Sequence, residues 1–119
     1  MDKATALRCL EATWRSYLEE KGHHIYQNNR IPALIRTRDG DRNRFRWLLL
    51  VAERPCRILT GEELRNIHTH MRHAQVKNEY VYLVVGFDRD PRRIIAVPAK
   101  TVLKTGHIFS DRGGIAWND

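Results

Sequence analysis

Cysteine is nearly absent. Cys9 and Cys56 are the only two among 119 residues, too few for a disulfide framework and without the spacing of metal ligands. Both are expected as reduced, buried thiols. No run of about 18 apolar residues occurs, and Asp2, Lys3, Arg8, Glu11, Arg15, Glu19 and Glu20 leave no apolar signal core at the start. A cytoplasmic protein without a membrane partner is the expectation. No glycine-rich phosphate loop is present, because Gly113-Gly114 follows Arg112 in a tail with no helix after it. Serine or cysteine nucleophile motifs, repeats, linkers and low-complexity segments are missing too. Acid is scarce: 14 Asp and Glu face 21 Lys and Arg, for a net charge of +7. Polyanions are therefore the first partner class to consider.

What is present suits one small domain spanning 1–119. The chain is 42% hydrophobic and 29% charged, enough apolar residues for a modest packed interior. From about Lys3 to Lys21 there is no Pro or Gly, and Leu7, Leu10, Trp14, Tyr17 and Leu18 fall on one helical stripe that stops at Gly22. His23–Asn28 and Ile31–Arg38 read as short strands, the second with Pro32 near its start. After the turn cluster Asp39-Gly40-Asp41-Arg42-Asn43, the run Phe45–Val51 is nearly all apolar, as a strand covered on both faces and central in its sheet would be.

Thr60 and Glu63 stand in the positions of a capping box, and a helix is expected to run to about Lys77. Tyr80–Phe87 and Arg93–Val97 complete the strands, Ala99–Lys104 reads as a helical turn, and 105–119 as an irregular tail anchored by Phe109 and Trp117. The order αβββαββ gives an α/β (α+β, mixed-sheet) domain with a helix on either side of one sheet and a core of about residues 4–98.

That order resembles the PD-(D/E)xK nuclease superfamily, the restriction-endonuclease-like fold. The resemblance implies an Asp near the start of the second strand and a Glu-x-Lys on the third, which hold Mg²⁺ and position the attacking water. Here Pro32-Ala33-Leu34-Ile35 stands for Pro-Asp and two hydrophobics, and Ala52-x-Arg54 for Glu-x-Lys; a shifted frame, Glu53-x-Pro55, keeps the carboxylate and loses the base. A degenerate, inactive site without a cofactor follows, with Mg²⁺ relevant only to a surviving nuclease.

For that case the carboxylates to consider are Glu11, Asp41 and Glu53, with His68 as base. Nucleases of this superfamily often bring a first-helix Glu to the metal, although a boundary Glu with its head in solvent is the plainer reading of Glu11. Leu64, Ile67, Met71 and Ala74 form the packed stripe of the second helix, leaving His68 and Gln75 on its edge. His70 and His73 have the spacing of a helical metal pair, but no third ligand is evident and no metal site is expected. The pattern is also similar, more weakly, to the C-terminal domain of tRNA-splicing endonucleases, through Thr60-Gly61-Glu62-Glu63-Leu64 before a helix and the strand Tyr80-Val81-Tyr82-Leu83-Val84-Val85. Asn43, Arg44 and Phe45 stand where those enzymes carry a His.

The charge is concentrated. Arg30, Arg36, Arg38, Arg42, Arg44 and Arg46 crowd one hairpin against Asp39 and Asp41, and arginine forks grip phosphate bidentately. Arg36, Arg38, Arg42, Arg44 and Arg46, joined by Arg65, Arg72 and Lys77 from the second helix, are the candidate nucleic-acid contacts, with DNA preferred to RNA. The alternatives are an RNA-binding or structural subunit and a protein-interaction module, the latter a homodimer through Trp117, Phe109 and the tail or through the sheet edge.

Overall fold

The computed structural model describes residues 2–26, 33–52, 59–87 and 93–105. Arg30, Pro32, Glu53, Arg54, Cys56, Phe109 and Trp117 lie outside them. The chain forms α1 (Lys3–Glu20), β1 (His24–Ile25), β2 (Leu34–Arg38), β3 (Arg44–Ala52), α2 (Gly61–Lys77), β4 (Glu79–Phe87), β5 (Ile94–Pro98) and α3 (Ala99–Thr105). One sheet carries the strands in the order β1-β2-β3-β4-β5. β3 and β4 are parallel, and the other neighbours are antiparallel. The apolar run of β3 thus occupies the centre, as its lack of alternation requires.

Period-two alternation divides the core into two layers. Ile35, Trp47, Leu49 and Val84 meet Leu10, Trp14 and Leu18 of α1 on one face. Leu34, Leu48, Leu83 and Val85 meet Ile67 of α2 and Val102 of α3 on the other. Gly86 permits the close approach of α1: a Cβ there would stand 3.0 Å from a methyl of Leu10. The caps are built as their residues dictate. Asp2 accepts from the Thr5 N–H at 2.7 Å, Gly22 takes φ +86° past the end of α1, and Thr60 and Glu63 close a reciprocal capping box on α2.

Three expectations need correction. Cys9 is exposed, because the buried stripe of α1 is Ala6, Leu10, Trp14 and Leu18 and residue 9 points away from it. Tyr17 is likewise on the surface, stacked on Trp14 at 4.7 Å. Ala99–Thr105 is a helix rather than a single turn, anchored by fully buried Ala99 and Val102. Among the described residues no helix is long and apolar enough to cross a membrane.

Candidate nucleic-acid interface

The basic residues meet where the β2–β3 hairpin comes alongside the end of α2. Asp39 fixes the hairpin: its carboxylate accepts the backbone N–H groups of Asp41 and Asn43, each at 2.9 Å, and Arg42 adopts φ +66°. At the other side of the junction Asn78 takes φ 56° and closes α2, so that β4 starts one residue later. The two turns bound a cleft of about 400 Å³ lined by Arg42, Asn43, Arg44, Lys77, Asn78, Glu79 and Tyr80. Arg38 is the cross-strand neighbour of Arg44. No ion pair joins Arg38, Arg42, Arg44 or Lys77 to another described residue.

Glu79, the one acid lining this cleft, is already engaged. Its carboxylate is fully buried and accepts from Arg36 Nε at 3.0 Å, Arg36 Nη2 at 2.9 Å and Arg46 Nε at 3.0 Å. Arg46 also donates from Nη1 to His70 Nδ1 at 3.0 Å. With only 5% of its side chain exposed, Arg46 is a core residue and leaves the set of surface phosphate contacts. Arg36, held by the same carboxylate, is half-withdrawn. Strand alternation explains both: Arg36, Arg46 and Glu79 point to the α2 face, and register sets Arg36 opposite Arg46.

Arginine can only donate, so the His70 ring must present a lone pair at Nδ1 and carry its proton on Nε2. Burial lowers the His70 pKa, the charges of Arg46 and His73 lower it further, and Glu79 opposes them. On the α1 face Thr37 Oγ1 accepts from Trp47 Nε1 and pairs with His23 Nδ1, both at 2.9 Å. Burial lowers the His23 pKa too, against the opposing charge of Asp39. Both histidines therefore bind protons more readily in the unfolded chain. Their contribution to stability is complete above about pH 6.5 and is lost as pH falls through the lowered folded values. Thermal unfolding from about pH 7.5 to about pH 5 is expected to show a falling Tm. His70→Gln, which keeps an acceptor for Arg46, is expected to flatten that fall; an unchanged profile would refute the assignment.

Among solved structures, the chain is similar to Hjc, a Holliday junction resolvase from the archaeal hyperthermophile Archaeoglobus fulgidus. The TM-score is 0.59 at 14% identity, over 80% of this chain and 74% of that one. The fold is restriction-endonuclease-like. No protein-family model matches the sequence, and no curated protein matches it.

In this restriction-endonuclease-like fold the two altered motifs can be placed by face. Ala33, with φ 61°, packs among the residues under α1, as does Val51. Ala52 is buried in the opposite layer. The frame Ala52-x-Arg54 therefore starts on the wrong side of the sheet from Ala33. Alternation makes Leu49 and Val51 the β3 positions on Ala33's side, and both are apolar. Ala33 and Leu49 also stand apart from the basic cleft, since the five steps from Arg44 to Leu49 at about 3.3 Å each span about 17 Å.

The described catalytic candidates do not converge. Glu11 is half-buried on α1 and paired with Arg15 at 3.2 Å, Asp41 is exposed in the hairpin turn, and His68 is exposed on α2, across the sheet from α1. Glu53 is outside the described residues. Among the described residues no three His, Cys, Asp or Glu side chains cluster to hold a metal. Of the basic candidates, Arg38, Arg42, Arg44 and Lys77 are brought together. Arg72 lines a neighbouring groove, and Arg65 sits in the first half of α2, away from the cleft.

Glu79 escaped the sequence reading and His70 entered it only for its metal spacing with His73, though signals for the buried roles of both were present. An acid two residues before Val81 and four before Leu83 shares their inward face and needs a buried cation. His70, three residues after Ile67 and four before Ala74, belongs to the buried stripe.

Proposed function

We propose that this protein binds nucleic acid, DNA in preference to RNA, through the cleft at the hairpin end, and that it does so without cleaving the strand. The observation that carries the reading is the gathering of Arg42, Arg44 and Lys77 at one cleft, with Arg38 beside Arg44, all four free of ion pairs with described residues while the adjacent acid is occupied by Arg36 and Arg46. Cations held together without internal counter-charge supply the sequence-independent phosphate affinity of nucleic-acid binders. The preference for DNA is supported by the resolvase of like fold. Loss of catalysis is supported by Ala33, Leu49 and Val51, which offer no carboxylate on the α1 face where a metal would need one.

The test is fluorescence anisotropy with labelled single-stranded and duplex DNA and RNA across a salt series, followed by electrophoresis of samples incubated with Mg²⁺ or Mn²⁺. Salt-sensitive binding with intact strands is expected. No binding at low salt would overturn the binding reading and favour the protein-interaction alternative. Metal-dependent cleavage that disappears with Glu11→Gln or Glu53→Gln would overturn the inactive one.

A further inference from the structure

α1 crosses its face of the sheet on a diagonal. Its first half packs at the far end of β4, where Leu10 meets Gly86, and its last turn is tied to the start of β1 by a bond from the His23 N–H to the Leu18 carbonyl. Among the described residues, the start of β4 is therefore left without a helix over it on this face. Three rings occupy the bare corner. Tyr80 and Tyr82 share the α1 face with buried Val84 by alternation, and Phe45 is the neighbour of Tyr80 across the parallel ladder. Tyr80 is 58% exposed, while Phe45 and Tyr82 are half-buried. The Phe45 centroid lies 5.5 Å from that of Tyr80 and 6.1 Å from that of Tyr82. Trp47 holds two of the rings from the covered side, stacked on Phe45 at 5.4 Å and on Tyr82 at 5.0 Å, and is itself fixed by its bond to Thr37.

We infer that Phe45, Tyr80 and Tyr82 form a platform on the open α1 face, on which unpaired bases of a single strand stack while its phosphates lie in the basic cleft at the end of the sheet. This rests on the nucleic-acid reading above and narrows it. Tyr80 joins the two places, because it also lines the cleft that holds Arg42, Arg44 and Lys77. A strand gripped by those cations thus brings its bases to the edge of the aromatic corner. The occupant must be anionic for the cleft and offer flat π-faces to the rings. A single strand does both, since each base has a free face while each phosphate keeps its charge. A duplex does not, because its bases are stacked inside and show only their edges. Phe45 and Tyr82 are held by Trp47 before anything binds, so little side-chain freedom is lost on stacking. Every base has a π-face, and the platform accepts single strands of any sequence.

The experiment uses the intact chain with three probes of equal length: a labelled oligothymidylate, the same backbone with abasic sites, and a duplex. The wild type is expected to bind oligothymidylate about tenfold more tightly than the abasic strand. Tyr80→Ala is expected to lose most of that margin while keeping its affinity for the abasic strand and the duplex, and Tyr80→Phe, which retains the ring, to preserve the margin. Photocrosslinking of a strand that carries iodouracil, read by mass spectrometry, is expected to mark Tyr80, Tyr82 or Phe45. Equal wild-type affinity for the base-bearing and abasic strands would overturn the platform and leave phosphate binding standing. Crosslinks confined to the α2 face would do the same. Binding of none of the three probes would overturn both readings. A dimer, seen by native mass measurement and split by Tyr80→Ala, would assign the rings to a second copy of the chain and overturn the inference.

Discussion

Glu79→Ala is expected to cost about 3–5 kcal/mol of folding stability, the usual effect of removing one partner from a buried ion pair. Since small domains are stable by only about 5–15 kcal/mol, that is a large part of the whole. The loss is severe because the substitution strips a fully buried carboxylate from two guanidinium groups that differ in their means of escape. Arg36 keeps 29% of its side chain exposed and can turn to water. Arg46, at 5%, cannot, and its other bond, to His70, offers no negative charge. Replacing Glu79 and Arg46 together by leucine and methionine is expected to recover most of the stability, because apolar substitutes of similar volume leave no orphaned charge. Urea unfolding followed by the fluorescence of buried Trp14 and Trp47 would measure all three proteins. A loss below about 1 kcal/mol for Glu79→Ala would show that the network is as weak as a surface pair.

The second large effect concerns binding. Each phosphate neutralised by Lys or Arg contributes about 0.9 to the slope of log affinity against log salt on duplex DNA and about 0.7 on single strands. If Arg38, Arg42, Arg44 and Lys77 each meet one phosphate, changing all four to alanine flattens the single-strand slope by about 3. The same contacts account for a roughly 50-fold loss of wild-type affinity between about 50 and 200 mM salt. Arg46→Ala serves as the contrast. It is expected to reduce stability while leaving the slope of the folded fraction unchanged, because its guanidinium faces Glu79 and not solvent. A quadruple variant that binds with the wild-type slope would remove the cleft from the interface.

The elements were readable because their determinants are local. Thr60 and Glu63 marked the start of α2 through a reciprocal hydrogen-bond pattern, and the unbroken apolar run of β3 marked a central strand. The site was less readable, because charge in the sequence does not reveal its counter-charge in space. Six arginines on one hairpin looked like one clamp, yet Arg46 is paired with Glu79, 33 residues on. That pairing depends on the parallel register of β3 and β4, which sets Arg44 against Glu79 and Arg46 against Val81 and which no local pattern encodes. Frame posed the same problem for the altered motif. Ala52-x-Arg54 and the frame shifted by one residue look equally eligible in sequence, and only the layer in which Ala52 is buried, opposite Ala33's, tells against the first.

The nine residues of β3 also act as a measuring rod. Its basic end at Arg44 and Leu49, which sits beside Ala33, are separated by about 17 Å, and a duplex strand advances about 3.4 Å per nucleotide. A strand gripped at the hairpin would therefore run about five nucleotides along the sheet before it draws level with Ala33. On the proposed reading, shorter oligonucleotides would occupy the hairpin end alone, and substitutions beside Ala33 are expected to leave their affinity unchanged.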